Sequence, residues 1–230
     1  MSIRFDDRVV IVTGAGAGLG RSHALAFAER GAKVLVNDFG GAVDGSGASS
    51  AVAEKVAEEI RAAGGQAISH GADVSNAEQV TDMVSQAMAK SGRVDALVND
   101  AGILRDASFA KMELNDFRKV LEVHVMGSVI CSKAVWQIMR EQNYGRILMT
   151  TSSSGLYGNF GQSNYGAAKM AVIGLMNVLQ LEGEKNNIRV NALAPGAATR
   201  MTESLLPPGV SELMKPEAVT PAALFLVSDD

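Results

Sequence analysis

The sequence is poor in cysteine, proline and aromatic residues: of 230 residues, one is cysteine (Cys131), five are proline, one is tryptophan, and aromatics make up 5%. A lone thiol closes no intrachain disulfide and builds no thiolate metal cluster, so the chain reads as a protein of a reducing, intracellular compartment, the cytoplasm. No window approaches the ~18 uninterrupted apolar residues of a membrane-spanning helix, and residues 1–7 carry no apolar stretch of the signal type. Basic runs are also missing. With 21 Lys plus Arg against 25 Asp plus Glu, the formal net charge is −4, which provides no field for a phosphate backbone and argues against a nucleic-acid partner. His23, His70 and His124 share no ligand spacing, which argues against a metal site.

What is present is apolar residue (47%), moderate charge (20%) and 24 glycines, the composition of one compact domain spanning residues 1–230. Short β-branched runs alternate with helical periodicity. Strands are expected at 8–13, 33–38, 67–70, 96–99, 146–151 and 188–194, and helices at 22–30, 51–63, 77–90, 114–142 and 165–184. Such alternation predicts an α/β fold, a doubly wound parallel sheet of the Rossmann type in three layers. The glycine-rich stretch 40–47 reads as a mobile surface loop, and residues 196–216 as a substrate loop. Residues 220–226 start a further helix, and the chain is expected to stop before a seventh strand, leaving the last strand of the sheet missing.

Thr13-Gly14-Ala15-Gly16-Ala17-Gly18-Leu19-Gly20 follows the first strand directly and opens the first helix. At such a junction unpaired N–H groups and the helix dipole favour an anion, and glycine lets the backbone approach a pyrophosphate. The spacing is G-x-x-x-G-x-G through Gly14, Gly18 and Gly20; G-x-G-x-x-G fails because Leu19 and Arg21 occupy its third-glycine positions. A tight turn without a ligand is the plainer alternative. Asp38 closes the second strand, where an acid accepts hydrogen bonds from adenosine ribose hydroxyls and repels a 2′-phosphate. Neither Ala17 nor Phe39 supplies a cation for that phosphate, so NAD is favoured over NADP, with a simple turn at residues 37–40 as the competing reading. Asp73 and Val74, then Asn99, Ala101 and Gly102, fall at C-terminal strand ends, where ligands of such sheets collect.

Tyr165 and Lys169 are four apart on an expected helix and share one face. A cation beside a phenol favours the phenolate, which can take an alcohol proton while hydride leaves for a nicotinamide, or return it to a ketone. Ser152, at the end of the fifth strand, can hold the substrate oxygen. A tyrosine and lysine at this spacing are by themselves an ordinary amphipathic pair; their position after Ser152 is what makes them a site.

Thr13-Gly14-x3-Gly18-x-Gly20, Asn99-x-Ala101-Gly102, Ser152, Tyr165-x3-Lys169 and Pro195-Gly196 together resemble the short-chain dehydrogenase/reductase family over nearly the whole chain. The resemblance implies that Tyr165 is the general acid or base, that Lys169 binds the nicotinamide ribose and lowers the tyrosine's proton affinity, and that Ser152 polarises the substrate oxygen, without a metal. It implies cofactor contacts at Gly14, Gly18, Leu19, Gly20, Pro195, Gly196 and Thr199. It also implies a homodimer or homotetramer through the helices beginning near Leu114 and Tyr165, where Ala167, Ala168, Ala171 and Gly174 permit close approach. Asn37-Asp38-Phe39-Gly40-Gly41, Gly102-Ile103-Leu104-Arg105-Asp106 and Tyr157-Gly158-Asn159-Phe160-Gly161-Gln162 are similar, more narrowly, to the dehydrogenase part of the family's peroxisomal multifunctional type 2 branch. That likeness implies a small-molecule substrate with a secondary alcohol on a bulky apolar body, a (3R)-hydroxyacyl-CoA or a 17β-hydroxysteroid.

Two rivals stand beside this reading. A 3-oxoacyl-carrier-protein reductase is disfavoured by Asp38, since that reduction normally uses NADPH. A dinucleotide sensor or scaffold without catalysis has no need of Ser152, Tyr165 and Lys169 together. Three positions depart from the family pattern. His124 stands where an asparagine completes a catalytic tetrad, and is either a packed helical histidine or a residue whose backbone carbonyl serves a water-linked proton path through Lys169. Asp100 replaces an asparagine, which implies altered hydrogen bonding around Asn99. Arg200 replaces a hydroxyl residue, with Thr199 one position early. Met112, Met126, Met139, Met149, Met170 and Met176 are expected in the core, and Met201 and Met214 against an apolar substrate. Arg105, Lys111 and Arg200 read as solvated loop cations rather than partners of coenzyme A phosphates.

Overall fold

The computed structural model describes residues 3–199, 201–202 and 209–229. Six parallel strands, β1 (Val9–Thr13), β2 (Lys33–Asn37), β3 (Gln66–His70), β4 (Ala96–Asn99), β5 (Gly145–Thr150) and β6 (Ile188–Leu193), form one sheet in the order β3-β2-β1-β4-β5-β6. Parallel strands buried on both faces read as continuous apolar runs, and Val9-Val10-Ile11-Val12-Thr13 is buried throughout. Alternate side chains serve opposite layers. Ile11, Leu35 and Leu97 pack with α3 (Ala77–Ser91), α5 (Gly127–Gln142) and α7 (Ser163–Gly183), whereas Val10, Val12 and Val98 pack with α1 (Gly18–Glu29), α2 (Ala51–Ala62) and α8 (Pro216–Val227). The result is the expected three-layer, Rossmann-like single domain. Strand order reverses between β1 and β4, and the crevice at that switch point is where such sheets take ligands.

Several expectations shift on contact with the fold. Helix α1 begins at Gly18 rather than Ser22, so the glycine turn runs straight into the helix. The helix expected over 114–142 is broken into α4 (Leu114–Leu121), a π-turn (Glu122–Met126) and α5. The Ser128 hydroxyl donates to the His124 carbonyl at 2.7 Å within that irregularity, and inserted side chains and π-turns are common causes of such breaks. A short helix α6 (Ser153–Tyr157), capped by the Ser152 hydroxyl, precedes α7. The glycine-rich 40–47 stretch is anchored, not free: the Leu104 N–H donates to the Val43 carbonyl at 2.9 Å, and Arg105 Nε to that of Asp44 at 2.8 Å. Of the six methionines expected inside, Met139 and Met149 are buried, but Met126 and Met170 are 41% and 51% exposed. No strand follows α8 among the described residues. Arg200, residues 203–208 of the substrate loop, and Asp230 lie outside the described residues.

At the opposite end of the sheet the Arg146 guanidinium, 2% exposed, is fully engaged. It donates to the carbonyls of Gly145 (2.8 Å), Asn187 (3.0 Å) and Ser228 (3.1 Å) and to the Asp229 carboxylate (2.9 Å), and sits 4.3 Å from the Tyr144 ring centre. Arg146→Met removes four guanidinium hydrogen bonds and a buried charge that is paired with Asp229. We expect a loss of about 3 kcal/mol of stability, read as a lowered urea midpoint at unchanged m-value; a loss below ~1 kcal/mol would show that the cluster is dispensable.

Candidate active site

The end of β1 and the loop after β4 are stitched together by Thr13. Its hydroxyl donates to the Val98 carbonyl at 3.3 Å and accepts from the N–H groups of Asp100 (3.1 Å) and Ala101 (3.2 Å). The two segments are therefore close. A Cβ on Gly14, which has φ +66°, would come within 2.8 Å of Ala101 Cα, and one on Gly20 would run into the Gly14 carbonyl oxygen. Both positions admit only glycine, for packing as much as for ligand approach. Ala17, at the N-terminus of α1, supplies no side-chain cap, so the amides of Gly18 and Leu19 remain available to an anion, while that of Gly20 serves Asp100. The Asp38 carboxylate is fixed beside them, accepting from the N–H groups of Gly16 at 2.8 Å and Gly40 at 2.6 Å.

A cleft of about 380 Å³, within the usual range for small-molecule sites, runs from these residues to the catalytic candidates. Gly14, Gly18, Leu19, Asp38, Asp73 and Val74 line it together with Ser152, Tyr165 and Lys169, and so do Ala101, Gly102, Pro195, Gly196 and Thr199. The donor set and shape suit an extended dinucleotide: uncapped helix amides for the pyrophosphate, and a carboxylate with spare lone pairs for a ribose. Gly20 and Asn99 are the exceptions among the expected cofactor residues: Gly20 is buried, with its N–H on the Asp100 carboxylate, and Asn99 is turned away. The Asn99 side chain turns into the packing between α5 and β5, donating to Ser132 Oγ and Met149 Sδ at 3.4 Å each, while Asp100 faces the cleft.

Helix α7 presents Tyr165 and Lys169 because its start is pinned on two sides. Asn164, fully buried, donates to the Arg105 carbonyl at 2.8 Å and accepts from the Tyr165 N–H at 2.7 Å, and the Thr151 hydroxyl donates to the Lys169 carbonyl at 2.7 Å. Lys169 Nζ donates to the Thr150 carbonyl at 2.7 Å and stands 5.5 Å from the centre of the Tyr165 ring. Burial pulls this lysine down to about 8, and Asp100 opposes the fall. Burial pushes the Tyr165 phenol up to about 12, with Ser152 offsetting and Asp100 and Asp106 reinforcing the rise. The expected lowering of the phenol by the neighbouring cation does not govern here, since the ammonium is directed at a carbonyl and desolvation dominates.

His124 is buried against the same tyrosine, its ring edge-on at 5.2 Å between centroids. Nε2 lies 2.8 Å from the Ile103 carbonyl and 3.0 Å from the Ile103 N–H, while Nδ1 has no hydrogen-bond partner. Burial and Lys169 hold it down to about 3, so the ring is neutral at working pH. The histidine thus braces the loop after β4 against α7, and its carbonyl already accepts from Ser128.

Sequence reading named Thr13, Asn159 and Gln162 only as parts of motifs, without a role in the site, and missed Thr150 and Asn164. Gln162 joins three segments, donating to Asp106 at 2.7 Å and accepting from Ser154 Oγ at 2.8 Å and Asn159 Nδ2 at 3.0 Å. The local signal was a run of polar residues just before Tyr165, which has no period to read. Arg105 is engaged by Asp116 at 2.7 Å. Met201 and Met214 line the cleft with Ile103, Leu104, Val123 and Ala197. Among the described residues no group of His, Cys, Asp and Glu is placed to hold a metal ion, and no helix is long and apolar enough to cross a membrane.

Comparison with known proteins bears on the chemistry. The short chain dehydrogenase family model matches residues 8–208. Peroxisomal multifunctional enzyme A of Dictyostelium discoideum is 53% identical over 230 residues, covering 100% of this chain and 52% of that protein. Peroxisomal multifunctional enzyme type 2 of Mus musculus is 53% identical over 224 residues, 97% of this chain and 30% of the relative. The chain therefore spans about half, or less, of the length of these relatives. Among solved structures, a 7α-hydroxysteroid dehydrogenase complexed with NADH and 7-oxo glycochenodeoxycholic acid superposes with TM-score 0.87, with 33% identity over 98% of this chain and 89% of that one. On the extent of the family match and the identity of these relatives, the chain belongs to the short-chain dehydrogenase family.

Proposed function

We propose that the chain interconverts a secondary alcohol and a ketone with NAD, on a bulky apolar substrate: a (3R)-hydroxyacyl-CoA or a 17β-hydroxysteroid. The observation that carries this reading is one cleft lined by Asp38 and by Ser152, Tyr165 and Lys169. The names of the multifunctional relatives and the steroid ligand of the solved neighbour support the substrate class.

In this reading Gly14, Gly18 and Leu19 hold the pyrophosphate, with Gly20 behind them keeping the turn tight, Asp38, Asp73 and Val74 hold the adenosine half, and Ala101, Gly102, Pro195, Gly196 and Thr199 the nicotinamide half. When bound, the dinucleotide supplies the hydride acceptor for oxidation and the donor for reduction. Ser152 Oγ donates to the substrate oxygen, whose negative charge grows as the reaction proceeds. Tyr165 Oη gives a proton to that oxygen in reduction and takes it in oxidation. Lys169 binds the nicotinamide ribose and, while protonated, places a positive charge at the tyrosine's end of the cleft. A phenol near 12 is protonated at neutral pH and ready for reduction; oxidation needs it deprotonated and so gains rate toward alkaline pH. Ile103, Leu104, Val123, Met201 and Met214 give the substrate end its apolar wall. We further assign a reducing compartment and a homodimer or homotetramer, the latter supported by the exposed small residues Ala167, Ala171 and Gly174 on α7; Ala168 is instead buried in the core.

The test follows NADH formation by absorbance with NAD or NADP and three substrates: a (3R)-hydroxyacyl-CoA, its (3S) isomer and 17β-estradiol. Turnover is expected with NAD on the (3R) thioester and not the (3S), rising with pH. Steroid-only turnover moves the chain to the hydroxysteroid dehydrogenases, and NADPH-linked reduction of a 3-oxoacyl carrier protein revives the reductase alternative. NADH binding without turnover on any alcohol or ketone supports the sensor instead.

A further inference from the structure

Lys169 is an ammonium at 4% exposure, and a group with three donors is directed at one carbonyl, that of Thr150. A buried cation needs a compensating charge to stay ionised. The same Thr150 provides a route to one: its hydroxyl donates to the Asp100 carboxylate at 2.8 Å. Asp100 is held from both flanks of β4, its backbone N–H donating to Thr13 Oγ1 at 3.1 Å and its carboxylate accepting from Thr150. It lines the same cleft as Lys169 and Tyr165. The geometry points to Asp100 as the counter-ion of Lys169: a positioning residue that, fastened through Thr150, keeps the lysine an ammonium and sets the pH window in which Tyr165 works. This inference rests on the proposed dehydrogenase chemistry, deepening it at a residue no part of that mechanism uses.

The charged groups around these three residues agree on the sign. Asp100 faces Lys169 on α7, which stabilises its charged form, and Asp38 at the end of β2, which opposes it; the Gly20 N–H of α1 also favours the carboxylate. Its carboxyl is pushed up to about 6, burial being the largest cause. Lys169 faces Asp100 and the neutral ring of His124. Tyr165 faces Asp100, Asp106 and Ser152. Removing the Asp100 charge thus lowers the proton affinity of both Lys169 and Tyr165, and the whole oxidation profile moves toward acid. Asparagine keeps an oxygen for the Thr150 hydroxyl, so Asp100→Asn changes the charge more than the shape.

The experiment reads ionisation directly. In protein carrying ε-13C lysine, with Lys169→Arg to assign the signal, the Lys169 midpoint is expected to fall by about one pH unit in Asp100→Asn and to return toward the wild-type value in Asp100→Glu. Coupling is reciprocal, so Lys169→Met is expected to raise the Asp100 carboxyl midpoint by a similar amount, read on the side-chain 13C of labelled aspartate. That arm decides the matter even where Asp100→Asn does not fold. The pH profile of kcat for oxidation is expected to shift acidward by about one unit alongside. Midpoints that stay in place in either variant overturn the assignment. Should no substrate turn over, the dehydrogenase reading fails, while the two NMR midpoints still judge the ion pair.

Discussion

Tyr165→Phe is expected to lower kcat by about 10³-fold, the scale of a lost general acid or base, with little change in KM or in NADH affinity. The substitution removes one oxygen and keeps the ring. The edge-on packing on His124 at 5.2 Å and the Asn164 hydrogen bond to the backbone N–H at 2.7 Å do not involve the phenol, so the start of α7 and the fold should survive. What is lost is the group that exchanges a proton with the substrate oxygen. Ser152 cannot replace it, since its hydroxyl serves as the N-cap of α6, accepting from Ser154 N–H at 3.1 Å, and a serine hydroxyl titrates far above any working pH. Steady-state kinetics with NADH titration by fluorescence separate the two outcomes. Turnover within tenfold of the wild type, on a folded protein, sinks the assigned role.

Asp38→Ala is expected to change the ratio of NAD to NADP affinity by about 10³-fold, equivalent to about 4 kcal/mol. Two effects act in one direction. A carboxylate beside a 2′-phosphate is a like-charge pair in a partly desolvated cleft, and such pairs cost several kcal/mol. The same carboxylate accepts from Gly16 N–H at 2.8 Å and Gly40 N–H at 2.6 Å; alanine releases both donors, which then face the ribose position and can serve a phosphate. NADH affinity should fall as the acceptor for its ribose hydroxyls disappears, and NADPH affinity should rise. Paired fluorescence titrations of NADH and NADPH measure the ratio; an unchanged ratio means that Asp38 is only a turn residue, as residues 37–40 alone would allow.

Sequence alone made the strands and the site motifs legible for a physical reason. Residues such as Val10, Ile11 and Val12 are buried on both faces of a parallel sheet, so the apolar run is uninterrupted and ends at the glycine turn. The four-residue step from Tyr165 to Lys169 is a property of one helix, and needs no partner to be read. Helix ends were less legible. Nothing local marks the π-turn at Glu122–Met126, because the contacts of His124 that accompany it lie on Ile103 and Tyr165, distant in the chain. The anchoring of the 40–47 loop is likewise hidden, since its partners are Leu104 and Arg105.

The sequence by itself determined the alternating fold, the glycine turn at the first strand and the spacing of serine, tyrosine and lysine, because each is a pattern of neighbours along the chain. Only the tertiary structure decided that Asn99 turns inward while Asp100 faces Lys169, and that burial rather than the adjacent cation governs Tyr165. Those outcomes depend on strand order and on how much water each group keeps. Pairing β1 and β5 on either side of β4 brings Thr13 and Thr150 to Asp100, a juxtaposition of residues 87 and 50 positions away that no local pattern encodes.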